Sequence, residues 1–431
     1  MKFVINGGKK LQGEVQLAGA KNAATKMMIA SLLTEELCVL KNFPRIGDTE
    51  IVAELCKLIG AQLEYGDHEL KIHTPTIKQT QVMSLSRRNR IPILAIGPLL
   101  ARAGEAEVPI LGGDKIGPRP VDLHINALKA LGAEITITED SYKAVAKDGL
   151  KGALIDLEFP SVGATENIIL AAVLAQGETT INNAAIEPEV IDLIKMLQKM
   201  GAVIELGANR TIRISGVEKL KGVIHSIIPD RNEAVSFACL AVATDGDILV
   251  KDARQNDLLT FLNALRKIGG GYEITDEGIR FYKEKELSSM DIETDAHPGF
   301  MTDWQQPFTV LLTQAQGTSV IHETIYEDRF GYTNDLNQMG ADIKVFSKCL
   351  GELGCRFNGK SFNHSITVHG PTPLKAINTQ VRDLRSGMVN IISALIAEGT
   401  SLISGVEEID RGYEKIDERL RGLGAEIDRL S

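Results

Sequence analysis

The chain has 431 residues, with 47 Lys and Arg against 57 Asp and Glu for a net charge of −10, and it is 44% hydrophobic and 24% charged. That length accommodates two or three domains with real cores, and the composition is ordinary for a soluble α/β protein. The acidic balance excludes a general nucleic-acid binder, which needs a basic face to displace counterions, so any bound anion must be held by a local cluster of cations.

The opening stretch MKFVINGGKKLQG is too polar for a signal peptide, and no apolar run reaches a membrane span. A cytoplasmic protein without membrane attachment is expected. The five cysteines, at 38, 56, 239, 349 and 355, are odd in number and include no CxxC pair. That spacing predicts reduced thiols and argues against a zinc site.

Along the chain one ending recurs: an apolar helix face, a small-residue stop and a strand. It reads CKLIGAQLEY at 56–65, LKALGAEITI at 128–137, LQKMGAVIEL at 197–206, LRKIGGGYEI at 265–274, LNQMGADIKV at 336–345 and LRGLGAEIDR at 420–429. The stop glycines at 60, 132, 201, 269, 340 and 424 lie 72, 69, 68, 71 and 84 residues apart. Each fits a helix end where a left-handed residue precedes an amphipathic strand. Before each ending runs a second helix that is apolar on most faces and therefore buried. These six are NAATKMMIASLLTEELCVL, IPILAIGPLLARAGEAEV, ATENIILAAVLAQGETTI, AVSFACLAVATDGDILV, PFTVLLTQAQGTSVI and MVNIISALIAEGTSLI. The pattern is a repeat of about 70 residues, too long and strand-rich for a common helical solenoid.

Polar residues stand at the start of each buried helix: Lys21 and Asn22; Arg87, Arg88 and Arg90; Ser161, Val162 and Gly163; Asp230 and Arg231; Thr302 and Asp303; Arg382 to Arg385. Equivalent helices should point their N-termini toward a shared cleft, where free N–H groups and added cations favour phosphates and carboxylates. Each position also has a structural reading. Ser161 is a plausible N-cap, Asp230 with Glu233 reads as a capping box, and Asp303 with Gln306 has cap spacing ahead of Pro307. Trp304, the only tryptophan, either reports on a cleft or packs at the helix start.

Between the second buried helix and the next ending lies GGDKIGPRPVDLH, residues 112–124. Its glycines free the backbone, Pro118 and Pro120 stiffen the exit, and Asp114, Lys115 and Arg119 carry charge onto a helix that begins near Val121. A loop that closes over an anionic substrate and a solvated Gly-Pro turn both fit this stretch.

With these residues in view, the chain resembles the UDP-N-acetylglucosamine 1-carboxyvinyltransferases (enolpyruvyl-UDP-GlcNAc synthases) of the EPSP synthase family. The matching stretches are LQGEVQLAGAKNAA, AIGPLLAR, GGDKIGPRPVDLH, SVGAT, NNAAIEPEVID, IPDRNEA, HPGFMTDWQQPF, EDRFGY, DLRSGM and IDRGYEKIDERL, spread from residue 11 to 420. The resemblance implies an α/β fold of two inside-out α/β barrels, three repeats in each. The first globule would span 21–229 and carry the catalytic loop 110–122. The second would combine 1–20 with 230–431.

The implied reaction moves the enolpyruvyl group of phosphoenolpyruvate to the 3′-hydroxyl of UDP-N-acetylglucosamine and releases phosphate, the first committed step of peptidoglycan synthesis. No cofactor or metal is implied, nor an obligate protein partner. By the same resemblance phosphoenolpyruvate would meet Lys21, Asn22, Arg119, Arg329 and Arg385. UDP-N-acetylglucosamine would meet Asn22, Arg90, Arg119, Pro120, Val121, Asp122, Leu123, Ser161, Val162, Gly163, Asp303 and Ile325. Asp303 matches the general base, Lys21 and Arg385 share the catalytic set, and Asp114 stands where most of the family has a proton-donating Cys. That exchange implies fosfomycin resistance. Phe159 and Ile186 replace residues that are often basic in relatives. Two other readings are a 3-phosphoshikimate 1-carboxyvinyltransferase and a non-catalytic paralogue that binds UDP-sugars.

Overall fold

The computed structural model describes residues 1–85, 90–110 and 120–430. Arg87, Arg88, Asp114, Lys115 and Arg119 therefore lie outside the described residues. The chain divides into two compact units, an N-terminal one within Gly19 to Ile228 and a C-terminal one containing Met1–Ala18 and Pro229 onward.

Among the described residues the strands form six sheets, three in each unit, and their connectivity repeats. Leu154–Asp156 pairs in parallel with Glu178–Asn182, which pairs antiparallel with Ile212–Ser215, which in turn pairs with Val203–Leu206. The same scheme joins Val223–Ser226, Cys38–Lys41, Glu69–His73 and Gln62–Gly66. In the third N-terminal sheet, Glu105–Pro109, Ser141–Val145 and Glu134–Ile137 form the antiparallel part, and Gln81 bridges Glu107 in parallel.

The first residues of the chain complete sheets made by much later ones. Lys2–Asn6 lies between Thr400–Ser404 and Glu426–Leu430, and Gln12–Gln16 runs parallel to Asp247–Lys251. Alternation decides which face is wet. In Glu69–His73, for example, Leu70 and Ile72 are fully buried while their neighbours are not.

Four of the six helices expected to be buried are so on every side. All residues of Ala164–Ala172, Arg231–Val242, Gln305–Thr313 and Leu384–Leu395 are buried. In the C-terminal unit the Arg231, Gln305 and Leu384 helices pack on one another behind the sheets. Such helices have no wet stripe because sheets or sister helices cover each face. The second apolar segment differs from a plain helix. Pro92 and Pro98 interrupt it, and it begins as a 3-10 turn, Ile91–Ala95, before the α-helix Ile96–Ala103. Neither proline can donate a helical N–H, and the ring of each fits best in a first turn.

All six stop glycines, Gly60, Gly132, Gly201, Gly269, Gly340 and Gly424, have φ between 93° and 127°. An L side chain is strained there, so glycine ends the helix and turns the chain into the next strand. No helix among the described residues is long and apolar enough to cross a membrane.

Candidate active site

In the N-terminal unit the Lys21–Ala30 helix starts after Ala20, which supplies no side-chain cap. Lys21 occupies the first helical position, and its ammonium lies 2.9 Å from the buried carboxylate of Asp48. Sequence spacing gave no sign of Asp48. It is the second residue of the Gly47–Ile59 helix, and only folding carries it to Lys21. Asn22 follows on the first turn, half-buried, and its carbonyl accepts a 2.7 Å hydrogen bond from Lys26. Lys26 also faces Glu166 of the Val162–Ala172 helix at 3.6 Å. Burial pushes the Glu166 carboxyl up to about 7 against the opposing pull of Lys26.

The start of that second helix is built from several of the predicted residues. Ser161 caps it, its hydroxyl accepting from the Ala164 N–H at 3.3 Å, and Val162 and Gly163 follow half-buried. A Cβ on Gly163 would sit 3.1 Å from the ring of His124, so the glycine lets the imidazole lie against this helix end. His124 belongs to the Asp122–Ala130 helix, which Pro120 and Val121 lead into, with Asp122 exposed and Leu123 half-buried. Its Nδ1 lies 3.2 Å from the Asn167 amide nitrogen, which fits a neutral ring accepting there. Burial, with the charge of nearby Arg90, lowers the His124 pKa to about 3.

The sign of the linkage follows. Below pH 6.5 the unfolded chain takes up a proton that folded His124 refuses, so this stability is complete above about 6.5 and declines as pH falls toward 3. At pH 5 the penalty is about 2 kcal/mol. His124→Gln retains a partner for Asn167 without the titration. The drop in melting temperature between pH 7.5 and pH 5 should be several degrees smaller in the variant, and an unchanged drop would exclude His124 as the source.

The C-terminal unit carries the densest charge network. Asp303 does not cap the Gln305–Thr313 helix: Trp304 is the N-cap residue and no side chain caps it. One oxygen of the Asp303 carboxylate instead accepts from the Arg329 guanidinium, and the other lies 3.3 Å from Nε of Arg385. Two guanidiniums close to the carboxylate outcompete the cap because charge-assisted bonds in a buried setting are stronger than a neutral N–H contact.

Arg329 is almost fully buried and also donates to Thr302 Oγ1 at 2.7 Å. Thr302 in turn donates to Glu323 at 2.7 Å, while the other Glu323 oxygen accepts from the N–H groups of Ile325 and Tyr326. Burial alone would lower the pKa of Arg329, but Asp303, Glu323 and Tyr326 outweigh it and hold the charge in place. Arg385 is equally buried and donates to the Tyr413 hydroxyl at 3.0 Å. Burial works against its charge too, and Tyr413, Asp303 and Asp230 overcome that cost. The main chain before Arg385 is fixed by a capping box in which Asp383 and Ser386 bond each other's backbone.

The Asp230 cap forms, but the expected box does not. Asp230 accepts from the Asn232 and Glu233 N–H groups. Glu233 points elsewhere, accepting from the Ala18 N–H at 3.1 Å and from both terminal nitrogens of Arg419 at 2.8 Å. Its charge pairs better with Arg419 than with a backbone N–H, and it ties the N-terminal strand segment to this unit. Trp304 is buried among Phe261 and Phe300 and donates to Asn232 at 3.1 Å, in keeping with the packing reading.

Both units therefore present buried or half-buried cations at helix starts, with carboxylates holding them in place. Comparison with known proteins identifies the family. The family model described as EPSP synthase (3-phosphoshikimate 1-carboxyvinyltransferase) matches residues 5–420. The chain belongs to the EPSP synthase family. It is 49% identical to the UDP-N-acetylglucosamine 1-carboxyvinyltransferase of Protochlamydia amoebophila, over 98% of this chain and 93% of the relative. It is 48% identical to the protein of the same name from Chlamydia abortus, over 99% of this chain and 98% of the relative.

Among solved structures, the enolpyruvyl transferase NikO from Streptomyces tendae superposes with a TM-score of 0.86 at 21% identity, covering 99% of this chain and 98% of that one. An EPSP synthase from Acinetobacter baumannii gives a TM-score of 0.72 at 19% identity, with all of both chains covered. The two-unit α/β architecture is thus the enolpyruvyl transferase fold.

The sequence singles out Lys21, Thr302, Asp303, Arg329 and Arg385, and folding adds the neighbours Asp48, Glu323 and Tyr413, which no local pattern marks. Folding brings Cys349 and Cys355 together with His322 and His364, although no CxxC spacing announces it. One signal was available: the interval from Gly340 to Gly424 is 84 residues where the others run from 68 to 72, and both cysteines fall in it.

Proposed function

We propose that this member of the EPSP synthase family transfers the enolpyruvyl group of phosphoenolpyruvate to the 3′-hydroxyl of UDP-N-acetylglucosamine, releasing phosphate, in the cytoplasm as the first committed step of peptidoglycan synthesis. Near-half identity over the full chain to relatives bearing that name supports the reaction. The observation that carries the chemistry is the Asp303 carboxylate held between Arg329 and Arg385.

Phosphoenolpyruvate brings a phosphate and a carboxylate, and planar guanidiniums bind such groups bidentately. Arg385 and Arg329, together with Lys21, Asn22 and Arg119, would take these anions. Substrate anions then compete with Asp303 for the same cations, which leaves the Asp303 carboxylate to accept the proton of the sugar hydroxyl. The hydroxyl oxygen bonds to carbon 2 of phosphoenolpyruvate while carbon 3 gains a proton. Asp114 is assigned as that donor. The tetrahedral adduct then expels phosphate from carbon 2 while carbon 3 returns a proton to the carboxylate assigned at Asp114, which restores the alkene. Asn22, Arg90, Arg119, Pro120, Val121, Asp122, Leu123, Ser161, Val162, Gly163, Asp303 and Ile325 are assigned to the nucleotide sugar, and Lys21 and Arg385 to charge stabilisation in the adduct.

Phosphate release with phosphoenolpyruvate and either acceptor tests the reading. Release with UDP-N-acetylglucosamine and none with shikimate 3-phosphate is expected. The reverse preference would make the chain a 3-phosphoshikimate 1-carboxyvinyltransferase, and binding of UDP-N-acetylglucosamine without release would make it a silent paralogue.

A further inference from the structure

In five of the six sheets two adjacent antiparallel strands are joined directly, and four of those connections are short: between Gly66 and Glu69, Ile137 and Ser141, Leu206 and Ile212, and Ile274 and Gly278. The fifth, from Phe346 to Ser365, is expanded to residues 347–364. This is where the long 84-residue interval places its extra length. The insertion contains Cys349, Cys355 and His364, and it folds back to His322 at the end of the Gly317–His322 strand.

One ligand atom from each of these four side chains lies within 4.8 Å of all the others. His364 Nε2 is 3.4 Å from Cys349 Sγ, and the two imidazole centroids are 5.7 Å apart. A tetrahedral ion with nitrogen and sulfur ligands has ligand–ligand edges of about 3.3–3.8 Å, so only a small contraction completes the shell.

The remaining atoms of the two rings are already oriented for ligation. His322 Nδ1 is 2.9 Å from the Glu293 carboxylate, and His364 Nδ1 is 2.7 Å from the Phe362 carbonyl. Both contacts require Nδ1–H donors, which leaves a lone pair on each Nε2 facing the cluster. A carboxylate or carbonyl behind a ligating histidine fixes its tautomer and raises its basicity. His322 Nε2 is the decisive atom: the residue is fully buried and Nε2 has no hydrogen-bond partner among the described residues. An unmet buried acceptor costs about 1–3 kcal/mol, which ligation removes.

The surroundings serve the same geometry. The Phe357 N–H points at Cys355 Sγ at 3.4 Å, and Glu293 accepts from the Glu352 and Leu353 N–H groups at 2.9 and 2.8 Å. A Cβ on Gly351 would come within 2.1 Å of that Glu293 carboxylate, so the chain can cross there only as glycine.

We infer that His322, Cys349, Cys355 and His364 form a structural tetrahedral zinc site in the C-terminal unit. Two neutral imidazoles and two thiolates favour Zn²⁺ over hard oxygen-seeking cations. Four protein ligands leave no open position, so the ion staples rather than catalyses. It would clamp the insertion to the strand that leads into Glu323, Ile325 and Arg329, and Arg356, between the cysteine and Phe357, already donates to the Ile325 carbonyl. The inference does not depend on the enolpyruvyl transfer proposed above.

Full-length protein purified in reducing buffer without chelator should hold close to one zinc per chain by elemental mass spectrometry. After chelation, Co²⁺ should restore one equivalent with the intense visible absorption of a tetrahedral thiolate complex. Alkylation of Cys349 and Cys355 should slow at least about tenfold on adding Zn²⁺, since coordinated thiolates are shielded. The double variant Cys349→Ala, Cys355→Ala should lose both the ion and the zinc-dependent rise in melting temperature. If that variant does not fold, the measurements on the unmodified chain still decide. Less than a tenth of an equivalent after exposure to Zn²⁺, a weak octahedral cobalt spectrum, or alkylation indifferent to zinc would each overturn the assignment.

Discussion

Asp303→Asn is expected to lower kcat by about 10²- to 10⁴-fold, the usual worth of a positioned general base, with much smaller change in KM for UDP-N-acetylglucosamine. The amide preserves the shape of the carboxylate between Arg329 and Arg385 but cannot take the hydroxyl proton. Asp303→Ala removes the bridging group altogether. Both variants take the shared counter-ion from two buried guanidiniums, and unpairing a buried charge typically costs about 3–5 kcal/mol, so both should lose stability. Asp303→Glu keeps the charge but shifts the carboxylate, and lost turnover with retained stability in that variant would separate the chemical role of Asp303 from its structural one. Near-normal turnover in Asp303→Asn would remove it as the base.

The second large effect concerns position 114. A carboxyl group can hand a proton to carbon 3 of phosphoenolpyruvate, yet it cannot open the fosfomycin epoxide into a stable thioether as a thiolate does. The protein should therefore retain full activity after long incubation with fosfomycin and show no added mass. Asp114→Cys should turn over and acquire time-dependent inactivation, with one inhibitor mass on the loop peptide. Time-dependent inactivation of the unaltered chain would reject the resistance. An inhibition curve left unchanged by the cysteine would reject the role given to this loop position.

Both effects bear on what a local pattern can and cannot encode. Helix starts are written in two or three residues, so Ser161 as a cap and Lys21 at the head of a buried helix were legible. The same shorthand permits caps at Asp303 and from Glu233, whose spacing is genuine but whose charges find stronger partners in Arg329, Arg385 and Arg419. A capping motif records what a side chain does when nothing better is near. Buried carboxylates seldom lack something better.

By itself the sequence determined the order of helices and strands, the left-handed glycine that ends each outer helix, the all-round burial of four of the inner ones and the family. Those properties depend on periods of 3.6 and 2 residues and on backbone sterics, all of which act between near neighbours. Only the tertiary structure decided that Lys2–Asn6 joins strands some 400 residues later, that Asp48 meets Lys21, and that Tyr413 and Asp303 share Arg385. It alone gathered His322, Cys349, Cys355 and His364 around one point. Contacts between distant residues leave no periodic trace, because the distance separating them along the chain is arbitrary until the core closes.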